Sequence, residues 1–521
     1  MSNALDHSPS GFLPELTRTL SLGNERLFLV ALALAIVPLW AGPYLPLVDL
    51  PQHAAQVAAL RQLLGGDSDL AELFQVNWFT PYLLGYLLLY ALTAVLPITV
   101  ATKLVVSTAI VAIPLLTGRL LRAAGADEGW KWLAIPCSFG FAFYWGFLTF
   151  IVSAPLALLF LIQTVRFVAA PSARRAVWIA AFSILLFFCH IIVLGFASLV
   201  ALGYVAGAHF RDWRTMAARA LPYAAPLPII GAWLASTYST EAGVQSDSIV
   251  FGSMLYRVEQ LLAQPAGRED VLSAWPTVLL ITGAVLLLPR LAGARFSRDP
   301  KRWLPFALGL LAFLLAPHYV LSTAYFYQRL GVFLVPLWLM AWDSPRERRR
   351  LDWLAMIVVA FWVVTSGSRF VTFARETESF RTVLAAMEPK HRAAAMVFDN
   401  TSPRFVLPVY LHFPAWYQAT AGGVVDFNFA EFYSQMVRYR PDAGPRISET
   451  VAWYATEFDW AANGGDRYDY FLIKANVDVA DAVFKERRSS VELVTRSGWW
   501  WLYRNVEARS AGSRTSSESK R

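Results

Sequence analysis

Long runs of residues without any charged side chain most restrict how this chain can fold. The runs 27–47 and 79–98, for example, contain no Asp, Glu, Lys or Arg. A helix needs about 20 apolar residues to cross the hydrocarbon core of a bilayer. Because such runs recur through the first 370 residues, the sequence predicts an all-α polytopic membrane bundle and not a single anchor.

The composition agrees with a membrane protein. Charged residues make up 16% of the 521 residues and hydrophobic residues 56%, whereas a soluble domain carries about 25% charged residues. The net charge of +8 does not indicate nucleic-acid binding, because the basic residues gather in short loops between apolar runs. Cys137 and Cys189 lie inside apolar segments and are interpreted as small core residues.

We predict about eleven transmembrane helices after a cytoplasmic N-terminal segment, 1–26. The run 176–208 is too long for one straight crossing at about 1.5 Å per residue, so it is either one broken helix or a hairpin. The predicted spans are 27–47, 79–98, 100–118, 132–148, 150–168, 176–208, 220–237, 275–288, 303–318, 330–343 and 352–370.

The basic loops predict the orientation of this bundle. Loops 209–219, 289–302 and 344–351 are rich in Arg and Lys, which places them in the cytoplasm. The count then places loops 48–78 and 238–274 in the periplasm, together with everything after residue 370. Loops 119–131 and 169–175 disagree with this orientation, because they are basic but the count places them in the periplasm. Either a span is miscounted or their charges bind an anion at the outer face, and we favour the overall count.

The segment 371–507 has the character of a small periplasmic α+β domain. Charged residues return there, and short β-like pieces occur at 395–398, 470–473, 491–495 and 499–503. The last two flank Arg496-Ser497-Gly498, which predicts a hairpin turn. The tail 508–521 is rich in Ser and Arg, which predicts disorder.

The first periplasmic loop contains the strongest candidates for chemistry. Asp49 follows the first span directly, where a carboxylate can act as a general base toward a hydroxyl or hold a cationic group. His53 is four residues further on, on roughly the same side of a helix. The alternative is that Asp49 caps a helix that has Pro51 in its first turn, and the residues alone favour this capping role.

The layout resembles the GT-C membrane glycosyltransferases, in which a catalytic Asp follows the first helix and a soluble domain follows the last. The resemblance rests on Asp49, on Pro81-Tyr82 at the start of span two and on the C-terminal domain. It also includes three short pieces that are similar to segments of bacterial members: Tyr144-Trp145-Gly146-Phe147, Gln328-Arg329-Leu330 and Ser497-Gly498-Trp499-Trp500.

The resemblance implies that Asp49 is the general base for transfer of a sugar from a polyprenyl-phosphate donor to a periplasmic lipid, glycan or protein. Arg329 is the candidate for binding the donor phosphate, because arginine offers paired donors to a phosphate. The alternative for Arg329 is that its side chain reaches toward lipid headgroups. Further candidates for the cavity are His190, His318, Tyr325, Tyr327 and Gln328.

The metal requirement of this chain stays open at this stage. Many GT-C members carry an Asp-Glu pair in the first loop, whereas Asp49 is followed by Leu50 here. Some members add acidic metal ligands in later loops, and none can be assigned in this sequence. The rival to an enzyme is a non-enzymatic transporter or scaffold for lipid-linked glycans. A transporter would favour a symmetric repeat, and no clear repeat is present.

Overall fold

The computed structural model describes residues 23–238, 249–320, 323–344, 352–444 and 446–507. The predicted segments 1–26 and 508–521 therefore lie almost wholly outside the described residues. The longer helices of the bundle are Glu25–Ile36, Leu50–Leu64, Leu83–Leu92, Ile98–Ala123, Leu148–Ala169, Ala173–Cys189, Ile191–His209, Leu227–Tyr238, Met254–Ala263, Trp275–Leu291, Pro300–Leu315, Gly331–Met340 and Asp352–Glu376.

Within the described residues, four helices are long and apolar enough to cross a membrane, which makes the chain a membrane protein. They are Ile98–Ala123, Leu148–Ala169, Ile191–His209 and the continuous helical segment Asp352–Ala385. Shorter apolar helices, such as Trp275–Leu291 and Gly331–Met340, fill the bundle between them.

The first helix and the helix Ile98–Ala123 run antiparallel and define two ends of the bundle. At one end Lys131 Nζ lies 2.5 Å from the Glu25 carboxylate. At the other end Lys103 Nζ donates to the Gly42 carbonyl at 2.8 Å. Lys131 packs against Gly118, and 15 helical residues, about 22 Å, separate Gly118 from Lys103, so the two contacts lie toward opposite ends of the helix. Loop 119–131 thus lies at the end where the first helix begins.

The predicted span 79–98 contains one short helix. Its helix is Leu83–Leu92, about 15 Å long, which is half of a hydrocarbon core. It lies beside the helix Leu50–Leu64, where Arg61 Nη2 donates to Thr93 Oγ1 at 2.8 Å.

Two other predicted spans are interrupted. The span 132–148 is a series of short helices, including Ala134–Cys137 and Phe141–Trp145, that leads from Lys131 to the opposite end. The run 176–208 is a hairpin of two helices that both pack on Leu148–Ala169. Its break is His190, which has an extended backbone with φ −170° and ψ 114°.

The C-terminal part contains the predicted α+β fold, and its strands confirm the four β-like pieces. Strands β1 to β7 are Phe74–Val76, Arg392–Val397, Val424–Asp426, Val437–Tyr439, Tyr470–Lys474, Val491–Ser497 and Trp500–Asn505. The main sheet has the order β3-β2-β5-β7-β6. β2 pairs in parallel with β3 and β5, and β7 pairs antiparallel with β5 and β6. The predicted hairpin turn has Gly498 at φ +57°.

The sheet joins the bundle through the first loop. β1 follows the helix Leu50–Leu64 and pairs antiparallel with β4 of the C-terminal part. Gln52 Nε2 donates to the Phe427 carbonyl at 2.8 Å, and Gln56 Oε1 accepts from the Val437 amide at 2.8 Å. Side chains alternate along β5, so Leu472 packs in the core shared with the bundle and Phe471 in a second core on the other face.

Candidate active site

A cavity of about 150 Å³ lies where the first loop, the bundle and the C-terminal domain meet. Four of the predicted site residues line it: Asp49, His53, Tyr325 and Arg329. The remaining lining residues are Tyr82, Trp145, Phe147, Thr149, Tyr319, Thr323, Ala324, His412, Phe427, Phe429, Phe432, Ser434, Gln435, Glu449 and Trp453.

Asp49 is held in the cavity wall by backbone contacts to a tight turn. The Asp49 amide donates to the Trp145 carbonyl at 2.8 Å. The turn continues through Gly146, which has φ +80°, and a Cβ atom there would lie 2.9 Å from the Leu50 nitrogen. Only glycine fits such a conformation without strain. This explains physically why the piece Tyr144-Trp145-Gly146-Phe147 is needed at this place.

The capping interpretation of Asp49 is not supported by its geometry. Asp49 occupies the N-cap position of the helix Leu50–Leu64, but its backbone is helical, and no capping bond from its side chain occurs within the described residues. The side chain is instead buried at the cavity, with Oδ1 3.6 Å from His412 Nε2. Burial raises the pKa of Asp49 well above 3.8, while the cation of Arg329 and the Trp145 side chain act against this rise.

His53 is neutral and is fixed by a polar chain across the cavity wall. Its Nδ1 lies 2.7 Å from the Tyr86 hydroxyl, which also contacts Gln435 Oε1. Burial, together with the nearby cation of Arg329, lowers the pKa of His53 to about 3. Burial alone lowers the pKa of His412 to about 3. Both imidazoles therefore offer hydrogen bonds near Asp49 and add no positive charge.

Arg329 places a guanidinium in the cavity, against an aromatic floor. The group lies over the Phe147 ring at 3.6 Å from its centroid. Its Nε and Nη2 donate to the Tyr325 and Ala324 carbonyls at 3.3 and 2.9 Å, and Nη1 has no partner among the described residues. Burial lowers the pKa of Arg329 to about 10, so the group stays charged at neutral pH. This position differs from an arginine that reaches out toward lipid headgroups.

Three other candidates lie behind this wall and not in it. Gln328 Nε2 lies 2.8 Å from His318 Nδ1, and the His318 ring packs edge-on against Tyr325 at 5.1 Å. Tyr327 is fully buried beneath the guanidinium of Arg257, 3.9 Å from the ring centroid. These residues support the segment that carries Arg329. Tyr325 itself has φ +56°, a strained conformation for a residue with a side chain.

His190 also lies behind the cavity. Its ring packs edge-on against Tyr82, which lines the cavity, at 4.8 Å, and against Phe150 at 5.3 Å. Neither ring nitrogen has a partner among the described residues. His190 is therefore a packing neighbour of the cavity and does not line it.

The C-terminal domain supplies lining residues that sequence reasoning missed. His412, Gln435, Glu449 and Trp453 all face the cavity. Glu449 is a second carboxyl group in the lining, and burial raises its pKa. No local pattern could have identified them, since each becomes significant only where the domain folds back onto the first loop.

The acidic and imidazole side chains of the cavity are the candidates for holding a metal ion. Among the residues that the structure describes, no group of three or more His, Cys, Asp or Glu side chains is placed to hold a metal ion. The cavity lining offers two carboxyl groups, Asp49 and Glu449, and two imidazoles, His53 and His412.

Comparisons with known proteins extend this description of the fold. No family model matches the chain, and no curated protein matches it. Among solved structures, the chain is similar to ArnT from Cupriavidus metallidurans bound to undecaprenyl phosphate, with a TM-score of 0.56 and 11% identity over 95% of this chain and 98% of that one. It also matches the arabinofuranosyltransferase AftD from Mycobacteria, with a TM-score of 0.47 and 14% identity over 92% of this chain and 40% of that one. The likeness to ArnT over nearly the whole length of both chains shows that the two proteins share an overall fold.

Proposed function

We propose that this protein is a membrane glycosyltransferase that moves a sugar from a polyprenyl-phosphate donor to a periplasmic acceptor. The observation that carries the proposal is the cavity in which Asp49, uncapped and buried, lies with the guanidinium of Arg329. The fold supports it, because ArnT shares this architecture and was solved with undecaprenyl phosphate bound.

In the proposed reaction Asp49 accepts the proton of an acceptor hydroxyl. The acceptor oxygen forms a bond to the anomeric carbon of the sugar, and the bond from that carbon to the phosphate oxygen breaks. The leaving polyprenyl phosphate takes the electron pair. A raised pKa suits Asp49 to this role, because a base accepts a proton more readily as its pKa approaches the working pH.

Arg329 would hold the phosphate as negative charge develops on it. Its guanidinium is the cation of the described cavity lining, since His53 and His412 are neutral. A cation placed where charge develops stabilises the transition state. The fixed position of the guanidinium over Phe147 supports this assignment, as does Nη1, which has no hydrogen-bond partner among the described residues.

We also propose that the basic end of the bundle faces the cytoplasm and the cavity end faces the periplasm. The number of crossings is again eleven when 79–98 is removed from the spans and 176–208 is counted as two crossings. All the basic loops then lie on one side, as the positive-inside rule expects. The segment 371–507 is then a periplasmic domain of an inner-membrane protein, with a cytoplasmic N-terminus.

The test is to identify polyprenyl lipids that remain bound to the purified full-length protein, using native mass spectrometry. We expect polyprenyl phosphate or its sugar-linked form in the wild type. Asp49→Asn should retain the intact sugar-linked donor, because it binds the donor but does not turn it over. Arg329→Gln should lose both forms. Absence of any polyprenyl lipid from the wild type and from Asp49→Asn would contradict the proposal.

A further inference from the structure

A second concave site lies at the end of the bundle opposite the cavity. It is a groove of about 340 Å³ between the last turns of the helices Ile98–Ala123 and Leu148–Ala169. We call it the arginine groove. Its lining residues are Arg119, Arg122, Ala123, Val165, Arg166 and Ala169.

The charges of the arginine groove are poorly compensated. Arg122 pairs with Glu128, with its Nε at 2.6 Å, but the same carboxylate also lies 3.4 Å from Lys131. Arg119 and Arg166 are exposed and have no carboxylate partner among the described residues. Three guanidinium groups thus converge on one groove with a single shared carboxylate.

Neither helix structure nor topology accounts for this convergence. Arginines near a helix C-terminus are stabilised by the free carbonyls there. At the end of Leu148–Ala169 that role is filled by Arg175, whose Nη1 donates to the carbonyls of Arg166, at 2.9 Å, and of Ala170. The positive-inside rule explains why basic residues lie at this end, but it does not require them to line a shared groove.

We propose that the arginine groove binds the phosphate group of an anionic lipid headgroup from the surrounding leaflet. Guanidinium groups bind phosphate through paired, charge-assisted hydrogen bonds. Ala123, Val165 and Ala169 form a small apolar floor for the glycerol part of the headgroup. The site is separate from the proposed sugar-transfer cavity and does not depend on it.

The probe is phosphatidylglycerol added to the full-length protein in detergent, with retained lipid counted by native mass spectrometry. Each basic residue near a membrane surface strengthens the binding of anionic lipid by roughly five-fold. The double variant Arg119→Gln/Arg166→Gln should therefore weaken binding by roughly 25-fold. Phosphatidylcholine, which has no net charge, should bind weakly to the wild type and to the variant alike.

The matched control is the double variant Arg211→Gln/Arg214→Gln, which removes the same charge at the same end. These two arginines are exposed and lie against the rings of Phe210 and Trp213, outside the arginine groove. Binding of phosphatidylglycerol should survive in this control. Equal losses in both double variants would overturn the proposal and leave only diffuse attraction.

A second arm separates a lipid from a soluble phosphate compound. Glycerol 3-phosphate carries the same phosphate without acyl chains, and it should compete only weakly with phosphatidylglycerol. Displacement of the lipid by equimolar glycerol 3-phosphate would overturn the lipid assignment. Size-exclusion profiles and melting temperatures of both double variants check that a loss of binding is not a loss of folding.

Discussion

Replacing Asp49 by Asn should lower the rate of sugar transfer without lowering the stability of the protein. Asn cannot accept a proton at neutral pH, so sugar transfer should fall by roughly 10²–10⁴-fold, the usual contribution of a general base. Stability should not fall. The folded protein raises the pKa of Asp49, so the native state binds the proton more tightly than the unfolded chain. Stability is therefore lost as pH rises from the unfolded to the folded pKa, by about 1.4 kcal/mol for each unit between them.

Asn removes this penalty, and Asp49→Asn should melt at or above the wild-type temperature at neutral pH. Asp49→Ala should behave similarly, because the Asp49 side chain makes no capping bond that Ala could remove within the described helix. The assays are thermal melting of the purified protein and release of polyprenyl phosphate from a sugar-linked donor.

Asp67 is the matched control, because it is a true cap. Its side chain accepts from the Leu70 amide at 3.1 Å at the start of the helix Ser68–Leu73. Asp67→Ala should cost about 1 kcal/mol of stability and leave transfer nearly unchanged. The reasoning on Asp49 is refuted if a folded Asp49→Asn protein transfers sugar at a near-normal rate. A large fall in the melting temperature of Asp49→Ala would restore the structural interpretation.

Four further expectations follow from the same geometry. Arg329→Lys keeps the charge but loses the paired N–H groups, so the affinity for the sugar-linked donor, measured by titration, should weaken by roughly 10-fold or more. An unchanged affinity in Arg329→Ala would exclude the phosphate role. The rate of transfer should fall as pH drops through an apparent pKa above 3.8, the ordinary Asp value. Arg329→Gln should move this acidic side of the pH–rate profile to higher pH, because Arg329 lowers the pKa of Asp49. An apparent pKa at the ordinary value would show that Asp49 is not the group observed. His412→Ala should lower kcat by about 10-fold through loss of a polar contact to Asp49. The apparent pKa of the pH–rate profile should shift little, because His412 is neutral. An unchanged kcat would show that the imidazole serves only in packing. A reporter that works only when exported should be active when fused after residue 375 and inactive when fused after residue 126, and the reverse pattern would invert the proposed orientation.

The sequence alone was sufficient for the class of fold and for part of the site. Uncharged runs of membrane length can be buried only in lipid or in one another, so the bundle was predictable. The last two strands and the glycine turn between them were predicted from local sequence. The hairpin at Gly498 confirmed this prediction. Asp49 and Arg329 could be identified because each directly borders an apolar run, and the cavity contains both.

Length and hydropathy could not determine how the segments cross the bundle. The run 79–98 is apolar enough to span, yet its helix has only ten residues, and its Tyr86 and Thr93 contact His53 and Arg61 of the helix Leu50–Leu64. The run 176–208 looks continuous, but it reverses at His190. Such choices depend on contacts between distant segments, which a hydropathy pattern does not contain.

Only the tertiary structure decided where the Asp49 side chain lies and which residues are its neighbours. In the sequence, Asp followed by a helix with proline in its first turn predicts a cap. In the fold, the Asp49 side chain instead lies in the cavity beside His412. That contact exists because Gln52 and Gln56 bind backbone groups of the C-terminal domain and hold it over the first loop. The sequence by itself determined which residues border the membrane, and the long-range hydrogen bonds decided which of them meet in one cavity.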